Sequence, residues 1–224
     1  MSKSIQILST KVLSGIQKQA LQKANFEVIE ADFITTENNA FEIKDLNDNL
    51  IFTSQNAVLS VLSNPKVEEL KTKNVFCVGL KTKILLSENG FNVVAYTGYA
   101  SDLAEIITLI YRNESYTFFS GNMRRETLPK ALKEADIKLN EIQVYETTLT
   151  PQKIKTAVDA ILFFSPSGVE SYLKDNSIKK EKCFCIGETT AQALDKITKN
   201  ISIADQPTVE DVIEDVITQY TNTL

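Results

Sequence analysis

The 224 residues predict an α/β fold of two similar domains, each a parallel sheet flanked by helices, joined by a two-stranded antiparallel ladder. Three observations carry this expectation. A short apolar run that breaks at Ser, Thr or Gly and resumes with helical spacing recurs along the chain, most clearly from Ile161 through Phe164, Ser165, Pro166, Ser167 and Gly168 to Tyr172. Some of these units repeat at a spacing of about 110 residues, too long for a solenoid and right for a duplicated domain. The opening strand–helix–strand unit is not continued by the next segment, so the chain leaves one domain early and returns to it late.

In order, Ile5 to Ser9 reads as a strand, Lys11 to Ala24 as a helix with Val12, Ile16, Ala20 and Leu21 at helical spacing, and Phe26 to Glu30 as a second strand. Asp32 to Thr35 extends that strand and Thr36 to Asn39 is a polar loop. Leu50 to Thr53 opens a new strand, and Ser54-Gln55-Asn56-Ala57-Val58 is another strand-to-helix turn. Val75 to Val78, ended by Gly79, lines up with Cys183 to Ile186, ended by Gly187; Tyr99 to Ala104 lines up with Thr208 to Ile213, each opening an amphipathic helix. Between the halves lie a strand and turn (Tyr116 to Asn122), a helix (Glu126 to Ala135) and a β-branched alternating run, Ile142 to Leu149, that reads as a connector. If the opening unit belongs with the C-terminal half, the domains are residues 1–32 with 148–224, and residues 37–143. Segments 31–36 and 144–148 are then the ladder.

Composition narrows the chemistry. There is no histidine, which removes Ser-His and Cys-His nucleophiles and His-ligated zinc together, so any acid or base is Asp, Glu, Tyr, Lys or water. No Walker-type or dinucleotide-binding glycine motif is present. A formal charge of −5 argues against a nucleic-acid partner. Cys77, Cys183 and Cys185 lie in apolar strands without zinc-site spacing, as buried reduced thiols do. The apolar runs are strand-sized, and the N-terminus reaches Ser9-Thr10-Lys11 too soon for a signal peptide. The expectation is a cytoplasmic protein without a membrane partner.

The Ser165 turn lies at the carboxyl end of a strand, where helix N-terminal N–H groups point outward and the dipole favours an anion. Ser165 and Ser167 add hydroxyls to those donors. The same residue types cap helices with no ligand present, and a phenol on a β-branched strand packs by default. From the residues alone, a cytoplasmic two-domain protein that binds or senses an anion without catalysis stands beside an enzyme.

The order of motifs resembles the uroporphyrinogen-III synthase family over essentially the whole chain. It runs Phe52-Thr53-Ser54-Gln55-Asn56-Ala57-Val58, Val78-Gly79, Gly121-Asn122 with Arg125-Glu126, Val144-Tyr145, Ser165-Pro166-Ser167-Gly168-Val169, and Ile186-Gly187-Glu188-Thr189-Thr190-Ala191. The resemblance implies two α/β domains on a two-stranded ladder. It also implies cyclisation of the linear tetrapyrrole hydroxymethylbilane, with loss of water and inversion of ring D through a spiro intermediate, without metal or organic cofactor. Such a protein is expected to act as a monomer and to meet hydroxymethylbilane synthase transiently.

By that resemblance Tyr145 matches the family tyrosine that projects into the interdomain cleft, where its phenol is placed to hydrogen-bond or protonate the departing hydroxyl. Thr53, Ser54, Asn56, Ser120, Gly121, Ser165, Ser167, Gly168, Thr189 and Thr190 are then the substrate-binding positions, with Arg125 adding a charge-assisted contact. Many relatives carry arginine just before the glycine of the Gly121 loop. Here Ser120 stands there. Holding carboxylates by backbone N–H groups and hydroxyls reconciles an acidic protein with an acidic substrate.

Overall fold

The computed structural model describes residues 4–221. They fall into two compact units, one made of the residues up to Thr35 with those from Thr148 onward, the other of Thr36–Thr147. The chain opens with β1 (Ile5–Ser9), α1 (Gly15–Lys23) and β2 (Phe26–Glu30), and passes into the second unit along β3 (Ile34–Asn38). There it forms β4 (Asn49–Phe52), α2 (Gln55–Leu62), α3 (Val67–Lys71), β5 (Asn74–Val78), α4 (Leu80–Glu88), β6 (Asn92–Thr97), α5 (Ala100–Ile110), β7 (Tyr116–Gly121) and α6 (Thr127–Glu134). It returns along β8 (Leu139–Leu149) to β9 (Ala160–Phe163), α7 (Pro166–Asp175), β10 (Lys182–Cys185), α8 (Glu188–Gln192), β11 (Ile201–Ile203) and α9 (Val209–Thr221).

The first unit holds a parallel sheet in the order β11-β10-β9-β1-β2. The second sheet runs β3-β8-β7-β4-β5-β6, parallel from β8 to β6. β3 runs antiparallel to β8: Asn39 N–H donates to the Val144 carbonyl at 2.9 Å and Thr150 N–H to the Phe33 carbonyl at 2.9 Å. These are the paired strands of the expected ladder, and the α/β fold class is borne out. Taken from β9 through β11 and on to β1 and β2, the first unit has the strand order of β4 to β8 in the second. The two sheets are one topology, circularly permuted. In both, the order reverses between two central strands, β9 and β1 in one and β4 and β7 in the other, and the carboxyl ends at such a reversal form a crevice.

Along the central strands alternation buries both faces of each sheet, as parallel strands covered by helices require. Ile161, Phe163, Cys183 and Cys185 point into one layer with Val169 and Tyr172 of α7, whereas Leu162 and Phe184 point into the other with Leu21, Val212 and Val216. In the second unit Leu50, Phe52, Val75 and Cys77 face Val58 and Val61 of α2, and Ile51, Phe76 and Phe118 face Leu103 and Ile107 of α5.

Three expectations are corrected. The first helix starts at Gly15 rather than Lys11, because Ser14 caps it in a reciprocal box: Gln17 N–H donates to Ser14 Oγ at 3.3 Å and Ser14 N–H to Gln17 Oε1 at 2.9 Å. Val12 N–H and Leu13 N–H are taken by the carboxylates of Asp32 and Glu30, each at 2.8 Å, and Ile16 is 83% exposed instead of facing the core. The Ile142–Leu149 run is more than a connector, since β8 begins at Leu139 and pairs with β7 before it reaches the ladder. Asp32 to Thr35 does not extend β2 and Thr36 to Asn39 is not a loop, since Ile34–Asn38 is a separate strand that leaves the first sheet and pairs with β8.

Candidate functional site

In the second unit the loops after β4 and β7 meet at the strand-order reversal. Ser54 leaves β4 in extended conformation and caps α2, its Oγ accepting the Asn56 N–H at 3.1 Å; Thr53, Ser54 and Asn56 are all half-buried. Beside them β7 ends at Ser120, which is buried, and Gly121. Pairing of β7 with β8 slips here: Ser120 faces Gln143 but Gly121 faces Tyr145, so Val144 is the extra residue of a bulge. Val144 is buried, and its carbonyl accepts from Asn39 N–H at 2.9 Å and from the Ser60 hydroxyl.

The bulge brings the half-buried Tyr145 ring flat onto Gly121. A β-carbon on Gly121 would lie 2.4 Å from Tyr145 Cζ, 2.5 Å from Cε2 and 2.9 Å from Cε1, closer than real side chains approach. Only glycine fits. Arg124 is ion-paired with Glu126 and Glu141, each at 2.5 Å, which fixes the start of the loop to β8. Arg125, the predicted contact, is exposed just ahead of α6.

In the first unit the loops after β9 and β1 meet in the equivalent place. Ser165 caps α7, its Oγ accepting the Gly168 N–H at 3.0 Å and lying 3.0 Å from Ser167 Oγ, with Pro166 at the first helical position. A β-carbon on Gly168 would stand 3.2 Å from Ser165 Oγ and 3.7 Å from Thr10 Oγ1. Thr10 is buried and clamps β1 to β9, its N–H and hydroxyl both donating to the Leu162 carbonyl, at 3.1 and 2.7 Å. On the next strand, Thr189 is half-buried and Thr190 buried in α8, with Thr190 N–H donating to the Gly187 carbonyl at 3.0 Å.

The structure therefore groups Thr53, Ser54, Asn56, Ser120, Gly121 and Tyr145 at one crevice, with Arg125 farther along its loop. It groups Ser165, Ser167 and Gly168 at the other, with Thr189 and Thr190 at the end of the adjoining strand. Sequence reasoning passed over Ser9, Thr10 and Lys11. Ser9 Oγ donates to the Lys11 carbonyl at 2.6 Å, and Lys11 Nζ lies 5.9 Å from the centroid of the Phe164 ring. Lys11 forms no ion pair among the described residues. The signal was there, a polar triplet closing an apolar strand, but the permutation sets it about 150 residues from its partner loop, outside the repeat spacing.

Burial accounts for the shifted thiols. It pushes the thiol of Cys77 up to about 11 and those of Cys183 and Cys185 to about 12, so they stay protonated and unreactive. Among the described residues no group of three or more Cys, Asp or Glu side chains is placed to hold a metal ion, and no helix is long and apolar enough to cross a membrane.

The sequence model of the family described as uroporphyrinogen-III synthase HemD matches residues 17–214. The fold is similar to that of uroporphyrinogen-III synthetase from Helicobacter pylori 26695, at 20% identity, covering 96% of this chain and 99% of that one with a TM-score of 0.71. A mutant uroporphyrinogen III synthase from the extremely thermophilic bacterium Thermus thermophilus aligns at 15% identity over 98% of this chain and 100% of that one, with a TM-score of 0.72. The wild-type form of that protein in another crystal form aligns at 16% identity over 98% and 99%, with a TM-score of 0.56.

Proposed function

Because the chain belongs to the uroporphyrinogen-III synthase family and is an enzyme of tetrapyrrole biosynthesis, we propose that it converts hydroxymethylbilane to uroporphyrinogen III with Tyr145 at the reacting end of the substrate. The observation that carries this is the seat of Tyr145 on Gly121, at the strand-order reversal of the second unit. A phenol held there hydrogen-bonds the terminal hydroxyl and eases its departure as water. The azafulvene that remains is electrophilic by itself, so the protein's larger task is to fold a flexible chain into the one geometry that closes the ring with inversion.

The carboxylates of the substrate are held by the N-terminal N–H groups of α2 and α7 and by the hydroxyls of Thr53, Ser54, Ser120, Ser165, Ser167, Thr189 and Thr190, with Asn56 and the backbone of Gly121 and Gly168 lining the same loops. Arg125 supplies one cation and Lys11 a second. In this reading the protein works in the cytoplasm as a monomer and takes its unstable substrate from hydroxymethylbilane synthase in passing.

The test is a coupled assay in which fresh hydroxymethylbilane is supplied, the porphyrinogen oxidised, and the type I and type III isomers separated. Type III in excess over the spontaneous type I product is expected. Tyr145→Phe should lower turnover by about 10- to 1,000-fold. Type I alone from well-folded protein would leave an anion-binding protein without this chemistry.

A further inference from the structure

We propose that Asn122 is the positioning residue for Tyr145, a statement that rests on the role given to Tyr145 above. Backbone pairing of β7 with β8 stops at Gly121 and Tyr145, so beyond Tyr145 the strand β8 has lost its neighbour on that side. The Asn122 side chain takes the place of the missing strand. Its Oδ1 accepts the Thr147 N–H at 2.8 Å and its Nδ2 donates to the Thr147 carbonyl at 3.0 Å. A carboxamide carries one acceptor and a donor side by side, the same pair that a backbone peptide offers to a strand.

Tyr145 therefore sits between two anchors of different kinds. On its N-terminal side the Val144 carbonyl is held by the Ser60 hydroxyl and by Asn39 N–H. On its C-terminal side Thr147 is held at both backbone groups by one side chain. The ring itself touches Gly121, the residue next to Asn122 in the chain, so the loop that supplies the seat also supplies the clamp. Without the clamp, the bulge leaves Tyr145 free to rotate away from Gly121, and displacement of a reacting group by about 1 Å costs about 100-fold in rate.

Alanine at 122 removes both bonds; aspartate keeps the acceptor for Thr147 N–H but turns an oxygen toward the carbonyl. The expected result for Asn122→Ala is kcat lowered about 10- to 100-fold with KM within about twofold, and for Asn122→Asp a smaller loss. In a Tyr145→Phe background Asn122→Ala should cost nothing further, since the two act as one unit. Independently of activity, the Gly121 α-protons should show a large ring-current shift in the NMR spectrum of the native protein. That shift should collapse in Asn122→Ala while the melting temperature and the remaining spectrum hold. Wild-type kcat in Asn122→Ala, full additivity with Tyr145→Phe, or an unchanged Gly121 signal would each overturn the proposal. Tyr145→Phe with wild-type turnover would overturn the role of Tyr145 first, and this proposal with it, before any Asn122 variant is read.

Discussion

The two units share one strand order, yet their central crevices differ in how the strands beside them pair. In the first, β1 and β2 pair in unbroken register from Ile5 and Phe26 to Ser9 and Glu30. In the second, the equivalent pair β7 and β8 slips by one residue after Ser120. The unbroken pair leaves Thr10 and Lys11 at its end, a hydroxyl tied to β9 and an ammonium beside Phe164. The slipped pair turns an aromatic ring onto a glycine. A single extra residue in one strand thus separates a crevice edged by Thr10 and Lys11 from one that presents a phenol. Duplication supplies the scaffold twice; local register decides which side chains each copy presents.

The comparison breaks most sharply at its two glycines. Gly121→Ala puts a methyl group 2.4 to 2.9 Å from three carbons of the Tyr145 ring, which must move. Gly168→Ala meets Ser165 Oγ at 3.2 Å, which a shift of a few tenths of an ångström relieves, and Thr10 Oγ1 at 3.7 Å, an ordinary contact. The expected loss of isomer III formation is about 100-fold or more for Gly121→Ala, by displacement of the ring, and under about fivefold for Gly168→Ala. Equal losses would mean that the two crevices contribute alike and that the bulge has no special role.

Lys11 sharpens the other side. If the first unit holds carboxylates without taking part in the chemistry, Lys11→Met should raise KM about 3- to 10-fold and leave kcat within about twofold, the mark of uniform binding. Lys11→Arg should restore most of the affinity. A fall in kcat at constant KM would place Lys11 near the reacting ring instead, and the division of labour between the units would have to be redrawn.

How much of this was legible beforehand depends on where each signal lies along the chain. Strand-to-helix turns such as Phe163-Phe164-Ser165 are local, and the alternation of Ile161, Leu162 and Phe163 fixes both faces of the strand at once. The ladder could be inferred from two crossings of the chain. Ser14 and Gln17 spelled a capping box three residues apart, and the start of α1 was readable there, but the apolar spacing of Val12 and Ile16 pointed elsewhere and both are exposed. The register slip at Ser120 and the Asn122 clamp on Thr147 join residues about 25 positions apart through one side chain, which no periodicity encodes. Thr10 and Lys11 were hidden for another reason, since a permuted repeat matches only where the chain order is kept.

The cysteines offer the gentlest probe of the same symmetry. Cys77 in β5 and Cys185 in β10 hold matching places one residue before Val78-Gly79 and Ile186-Gly187, and Cys183 adds a second thiol to the first unit. All three are fully buried, and burial raises each above its ordinary value, to about 11 for Cys77, where nearby Lys83 opposes the rise, and to about 12 for the others. A thiol raised in the folded state is still protonated where the unfolded chain has begun to lose its proton. Above about pH 9 the unfolded state therefore binds fewer protons than the native one, and stability falls as pH rises, by up to about 1.4 kcal/mol per pH unit for each such thiol, until the folded values are passed. Tyr172, raised by burial to about 12, adds to the fall in the same direction. Urea midpoints at about pH 8 and about pH 10 should thus differ, and Cys185→Ala and Cys77→Ala should each flatten that difference by a similar amount, since both native thiols are still largely protonated at about pH 10. Near neutral pH a thiol-alkylating reagent should label none of the three in native protein and all three in urea; labelling of Cys77 alone in the native state would show that the second unit opens at β5 where the first stays closed at β10.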